Sequence, residues 1–185
     1  MPELPEVETI KTELNQALRG RVLKSVKILW AKTVRPLTEK EFEKKIKGRK
    51  ILKIARRAKV IIFQLDQQNY LAVHLKMTGQ LIFIPTPPRL RHPSLIKEGK
   101  GVVVGGHPQT GGTDNLPNKY TRLVFNFTDQ SQLFFNDLRK FGWVRWLDQA
   151  ALDVLLSGHG LEPLEPEFTL TAFQQILERY PKRKI

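Results

Sequence analysis

The chain contains no cysteine in its 185 residues. Disulfides are excluded within it, and so is a zinc site built from thiolates. Methionine is scarce, with two residues, and no apolar run approaches the ~20 residues that a membrane-spanning helix needs. No secretory signal pattern is visible at the start. A membrane role is not expected. Acidic residues are the other shortage: 18 Asp and Glu stand against 31 Lys and Arg, for a formal net charge of +13. That imbalance points to a polyanionic partner, with nucleic acid first.

The length suits one domain with a real core and the start of a second. Val7, Ile10, Leu14 and Leu18 recur at helical spacing, and Gly20 follows as a stop, so a helix is predicted over 5–18. A strand is expected over 22–29. Thr38 and Glu41 have capping-box spacing ahead of Phe42 and Ile46, and Gly48 closes that second helix. The signal then turns β. Short apolar runs cover 51–55, 60–65, 70–75, 81–84, 123–127, 133–135 and 144–147, with turns at 66–69 and 129–131. This predicts an α+β fold, mainly antiparallel β: a two-layer β-sandwich flanked by helices.

Residues 85–118 are rich in proline and glycine and read as one long loop. No Gly-Lys-Ser/Thr follows the glycine pairs, so a phosphate loop is rejected. A short helix is expected over 150–156. Residues 161–166 form a proline-stiffened linker, and Thr169 caps a helix carrying Phe173, Ile176, Leu177 and Tyr180. The expected division is a domain over 1–160 and, over 161–185, the linker and start of a second. The sequence reads as cut there.

Four segments could carry chemistry. The first is Pro2-Glu3. If Met1 is removed, Pro2 holds a free secondary amine, which can attack an electrophilic sugar carbon and form an iminium. An α-amino group has a pKa of roughly 7.7–8.0, so a useful fraction is unprotonated near neutrality. Glu3 could give or take a proton. The same residues also make an ordinary helix start. The second is Arg56-Arg57-Ala58-Lys59, where a lysine beside two arginines sits in positive potential and attracts phosphate. The third is His74-Leu75-Lys76-Met77-Thr78-Gly79. The fourth is Asn136-Asp137-Leu138-Arg139-Lys140-Phe141-Gly142-Trp143, a basic and aromatic turn in which arginine could meet a base edge and phenylalanine could wedge.

Met-Pro-Glu-Leu-Pro-Glu-Val-Glu-Thr resembles the N-terminus of the formamidopyrimidine-DNA glycosylases, and the other three segments resemble that family's motifs in the same order. The resemblance implies a bifunctional DNA glycosylase/AP lyase of base-excision repair that removes oxidised purines. It makes Pro2 the nucleophile, Glu3 the acid, and Lys59 the lysine that contacts phosphate and assists β-elimination. His74 would contact a phosphate. Met77 and Phe141 would wedge into the gap left by the flipped base, and Arg139 would pair with the orphaned partner. Lys119, Lys140 and Lys182 complete the implied DNA-facing set. The implied partner is damaged double-stranded DNA, met by a monomer in the bacterial cytoplasm.

Some positions depart from the pattern. Leu138 replaces a proline, which should loosen the loop, and Lys140 replaces a second arginine, losing the bidentate fork. Tyr120 follows Lys119 where the family often has a histidine. Residues 161–168 resemble the entry to the family's helix–two-turn–helix domain. No cofactor is expected in these residues; the one structural zinc would lie in a zinc finger that the chain does not contain. Weak activity at best is expected of the chain itself. Two alternatives are an endonuclease VIII-like glycosylase for oxidised pyrimidines, against which Leu4 and Phe141 argue, and a non-enzymatic basic nucleic-acid-binding module.

Overall fold

The structure is a computed structural model that describes residues 2–85, 103–106, 115–162 and 165–179. Helix α1 (Leu4–Leu18) buries Val7, Ile10, Leu14 and Leu18, the stripe read from the sequence. Gly20 follows it at φ +87°, a conformation that glycine adopts without steric cost. Strand β1 (Leu23–Ile28) leads through a 3₁₀ turn (Ala31–Val34) to α2 (Glu39–Ile46). The Thr38 hydroxyl accepts from the Glu41 N–H, and the Glu41 carboxylate accepts from the Thr38 N–H at 2.8 Å, so the capping box is closed.

The β elements are β2 (Ile51–Arg57), β3 (Val60–Leu65), β4 (Asn69–His74), β5 (Gly79–Ile84), β6 (Val103–Gly106), β7 (Thr121–Phe127), β8 (Gln132–Asp137) and β9 (Trp143–Asp148). They form two antiparallel sheets, ordered β1-β7-β8-β5-β6 and β2-β3-β4-β9. Strand β6 corrects the sequence reading, which left 85–118 as loop. Its glycines hide a strand signal, yet its backbone pairs with β5 from Gln80↔Gly106 to Phe83↔Val103. The final helices are α3 (Gln149–Ser157) and α4 (Leu170–Arg179). The α4 start is capped as expected, by Thr169 Oγ1 accepting from Ala172 N–H at 3.1 Å.

The inner faces of both sheets share one core. Phe63 and Leu65 from one sheet meet Phe125, Phe127 and Phe135 from the other, with α1 and α2 supplying Leu14, Leu18, Phe42 and Ile46. Fully burying such a side chain contributes about 1.5–3 kcal/mol. The helices close the open sides. Helix α1 packs between the edge strands β2 and β6, while α2 and the 3₁₀ turn lie along β1 and β9. Helix α3 covers the outer face of β3, β4 and β9 through Leu152.

Candidate active site

The register places the four chemistry-bearing segments at one end of the sandwich. Val60, His74 and Trp143 pair in a row across β3, β4 and β9. Lys59, next to Val60, and Gly142, next to Trp143, therefore lie at the same edge as His74. From there the chain crosses twice between the sheets, over Leu75–Thr78 from β4 to β5 and over Leu138–Gly142 from β8 to β9. Residues 136–143 read in sequence as a basic and aromatic turn; the structure makes the segment a crossing, since β8 and β9 belong to different sheets.

One buried carboxylate ties the two crossings together. Asp137 accepts from the Gly142 N–H at 2.7 Å and the Arg139 N–H at 3.2 Å, and from the Thr78 hydroxyl. Thr78 Oγ1 also accepts from the Arg139 N–H at 3.0 Å. Rigidity that a proline would give at Leu138 comes here from side-chain hydrogen bonds. The motif glycines are set by close approach. A Cβ on Gly142 would lie 2.6 Å from Phe135 Cζ, and one on Gly79 would lie 2.4 Å from the Leu75 carbonyl oxygen. Arg122 supports the same corner from below, donating to the Asp137 carbonyl at 2.8 Å and to the Lys119 carbonyl at 3.0 Å.

Above this support stands an exposed cluster. Met77, Leu138 and Phe141 are 42%, 50% and 53% exposed, a large apolar display on a strongly basic protein. The Arg139 guanidinium lies 4.8 Å from the Phe141 ring centroid and 2.9 Å from Met77 Sδ. Lys140, at φ +60°, points its ammonium onto Trp30, 4.1 Å from the ring centroid. Lys119 is exposed, with its ammonium over Tyr120. The sequence reading missed Trp30, because nothing local links it to a loop 110 residues on.

His74 is half-buried against Trp143, ring centroids 5.7 Å apart. Burial, then the charges of Lys76, Lys59 and His159, push it down to about 4. Its Nδ1 accepts from the Lys76 N–H at 3.0 Å, which leaves the proton of the neutral ring on Nε2. At neutral pH it can offer an Nε2–H donor without carrying charge.

Pro2 is buried immediately before α1, and the Glu6 carboxylate accepts from the Glu3 N–H at 3.0 Å. The Glu3 side chain is exposed. Two contacts fix the direction of α1. Asn15 Oδ1 accepts from the Ile54 N–H at 2.8 Å, and Glu8 meets Arg56 at 2.6 Å. The helix start therefore points toward the Lys59 end of β2, and its first residue, Leu4, lies ~6 Å further along the axis than Glu8. Lys59 occupies a two-residue turn between the paired Arg57 and Val60.

The expectation that both arginines lend Lys59 positive potential is corrected. The Arg56 side chain is 6% exposed and is held by two carboxylates, Glu8 and Glu162, each at 2.6 Å. Burial alone would raise the Glu162 carboxyl. The hydrogen bonds from Ala58 N–H and Arg56, with the charges of Arg56 and Arg57, hold it below its ordinary value. Lys182 lies outside the described residues. Among the described residues, no group of three or more His, Asp or Glu side chains is placed to hold a metal ion.

Residues 1–144 match the formamidopyrimidine-DNA glycosylase N-terminal domain. The chain is 36% identical over 179 residues to a formamidopyrimidine-DNA glycosylase of Protochlamydia amoebophila, covering 96% of this chain and 54% of that protein. It is 34% identical over 181 residues to the protein of the same name from Pelotomaculum thermopropionicum, covering 97% of this chain and 56% of that one. The chain spans about half the length of these relatives. Among solved structures, it resembles Lactococcus lactis Fpg in complex with DNA containing an abasic site, with TM-score 0.72 and 26% identity over 96% of this chain and 57% of that one.

Proposed function

The chain belongs to the formamidopyrimidine-DNA glycosylase family, and on that premise we propose that it carries the catalytic half of a DNA glycosylase/AP lyase acting on oxidised purines in duplex DNA. The observation that carries the reading is the convergence on one end of the sandwich. The start of α1, the Lys59 turn and the exposed Met77–Arg139–Phe141 cluster share that end. A domain over 1–160 followed by a linker into a second unit is part of the same proposal.

The reaction begins with extrusion of the damaged nucleotide, because its sugar carbon is out of reach inside the duplex. Met77 and Phe141 fill the space, and Arg139 faces the orphaned base. The lone pair of the Pro2 nitrogen attacks C1′, the glycosidic bond breaks, and the base leaves with its electron pair and takes up the proton that the Pro2 nitrogen gives up. Glu3 delivers a proton to the sugar oxygen as the ring opens, giving an iminium between Pro2 and C1′. Loss of a C2′ proton then expels the 3′ phosphate, with Lys59 beside the leaving oxygen. Neutral His74 donates Nε2–H to a neighbouring phosphate. The thiolate zinc site expected of longer family members finds no ligands here, since the chain has no cysteine, and no step runs through it.

Borohydride reduction tests the proposal. A duplex with an abasic site bypasses lesion recognition and should yield a covalent protein–DNA adduct. Pro2→Ala should abolish that adduct. An adduct that survives Pro2→Ala, or none from the wild-type chain, would sink the mechanism. With an 8-oxoguanine duplex the yield should be lower, because a base must first be extruded from the stack and released before the adduct forms.

A further inference from the structure

Arg56 joins three pieces of chain that are distant in sequence. Its Nε donates to Glu8 of α1, 48 residues away, and its Nη1 donates to Glu162, 106 residues away. Glu162 is 7% exposed, and its other oxygen accepts from the Ala58 N–H. Arg57 adds a bond to the Gly160 carbonyl at 2.5 Å. Segment 160–162 is thus fastened onto the turn that presents Lys59.

The turn has a reason to need that fastening. Ala58 sits at φ +47°, the left-handed region that costs an L-residue roughly 1–2 kcal/mol. A buried carboxylate on its N–H offsets that cost and fixes which way Lys59 leaves the turn. On the other side, Glu8 lies in the second turn of the helix that begins two residues after Pro2. A single guanidinium therefore spans the support of both groups assigned to the reaction.

We infer that the Glu8–Arg56–Glu162 network is a positioning device. Glu162 sets the Lys59 turn, Glu8 sets the nucleophile helix, and Arg56 holds the two in one register. The inference rests on the reaction proposed above, and it assigns none of the three residues a contact with the substrate. Because Glu162 belongs to the segment leading toward α4, displacement of that segment reaches Lys59 directly. Misplacing a reacting group by about 1 Å can cost on the order of 100-fold in rate.

Single-turnover kinetics on an abasic-site duplex separate the two arms. Glu162→Gln should slow strand cleavage by about 10-fold or more while slowing formation of the borohydride-trapped adduct far less. Glu8→Gln should do the reverse, and Arg56→Lys should slow both. A general loss of folding would lower both steps equally in every variant. Equal slowing of both steps by Glu8→Gln and Glu162→Gln, or no slowing by either, overturns the inference. Hydrogen exchange supplies a readout independent of activity. Glu162→Ala should accelerate exchange at Ala58, and Glu8→Ala should not. Unchanged exchange at Ala58 overturns the clamp. Absence of any adduct from the wild-type chain overturns the reaction and the positioning role, while the exchange result still decides whether the clamp exists.

Discussion

Arg56 and Arg139 occupy the same end of the sandwich and use their donors in opposite ways. Arg56 is buried and meets two carboxylates. Among the described residues, the Arg139 guanidinium has no carboxylate partner and lies against a thioether and an aromatic ring. A saturated guanidinium organises the protein around it. One held by soft, weak partners keeps its planar fork for something else. The same contrast separates the carboxylate-rich floor of the site from its apolar, basic rim.

The largest effect should come from breaking the floor. Arg56→Ala strips Glu162 of its hydrogen-bonded counter-charge, leaving only Arg57 at 3.9 Å, and should destabilise by about 3 kcal/mol. Arg139→Ala should change stability by less than about 0.5 kcal/mol. Urea denaturation of both variants checks the pair, and similar losses would erase the distinction. Next is the link between rim and floor. Gly142→Ala pushes a methyl against Phe135 and the His74 carbonyl, and should cost about 1–3 kcal/mol in the same assay.

Acid should attack floor and rim over adjoining pH ranges. Folded His74 titrates near 4, below its ordinary 6.5, so the unfolded chain binds more protons between these values. Its share of stability is intact above about 6.5 and declines as pH falls toward 4. Glu162 is held below its ordinary 4.5, so its share is intact above that value and is lost as pH falls further. Urea midpoints from pH 7 to pH 4 should therefore fall, and His74→Gln should flatten the upper part of the slope. The smallest effect belongs to the rim. Lys140→Ala removes an exposed cation–π contact of about 0.5–1 kcal/mol. Its clearer signature is a salt dependence of DNA affinity shallower by about one unit.

The sheets and the rim were legible because their signals are local. Alternating apolar residues, the Thr38–Glu41 box and the turn residues at 129–131 each act within a few positions. The motif segments around Met77 and Arg139 are likewise contiguous. What was not legible depends on contacts at long range. Arg56 reads as one more exposed base until Glu8 and Glu162 are brought to it from 48 and 106 residues away. Strand β6 was hidden for a different reason: its glycines carry little strand propensity, and only pairing with β5 gives it order. Asp137 lay inside a quoted motif, but its task of joining two sheet crossings needs the fold to be seen.

Pro2 lies buried at the point where α1 begins, and this bears on how the molecule can be handled. On the mechanism proposed above, any sequence kept ahead of residue 2 holds the Pro2 nitrogen in a tertiary amide, whose lone pair is delocalised into the carbonyl. Affinity handles belong at the other terminus, and an uncleaved leader becomes a ready-made inactive control that leaves every side chain in place.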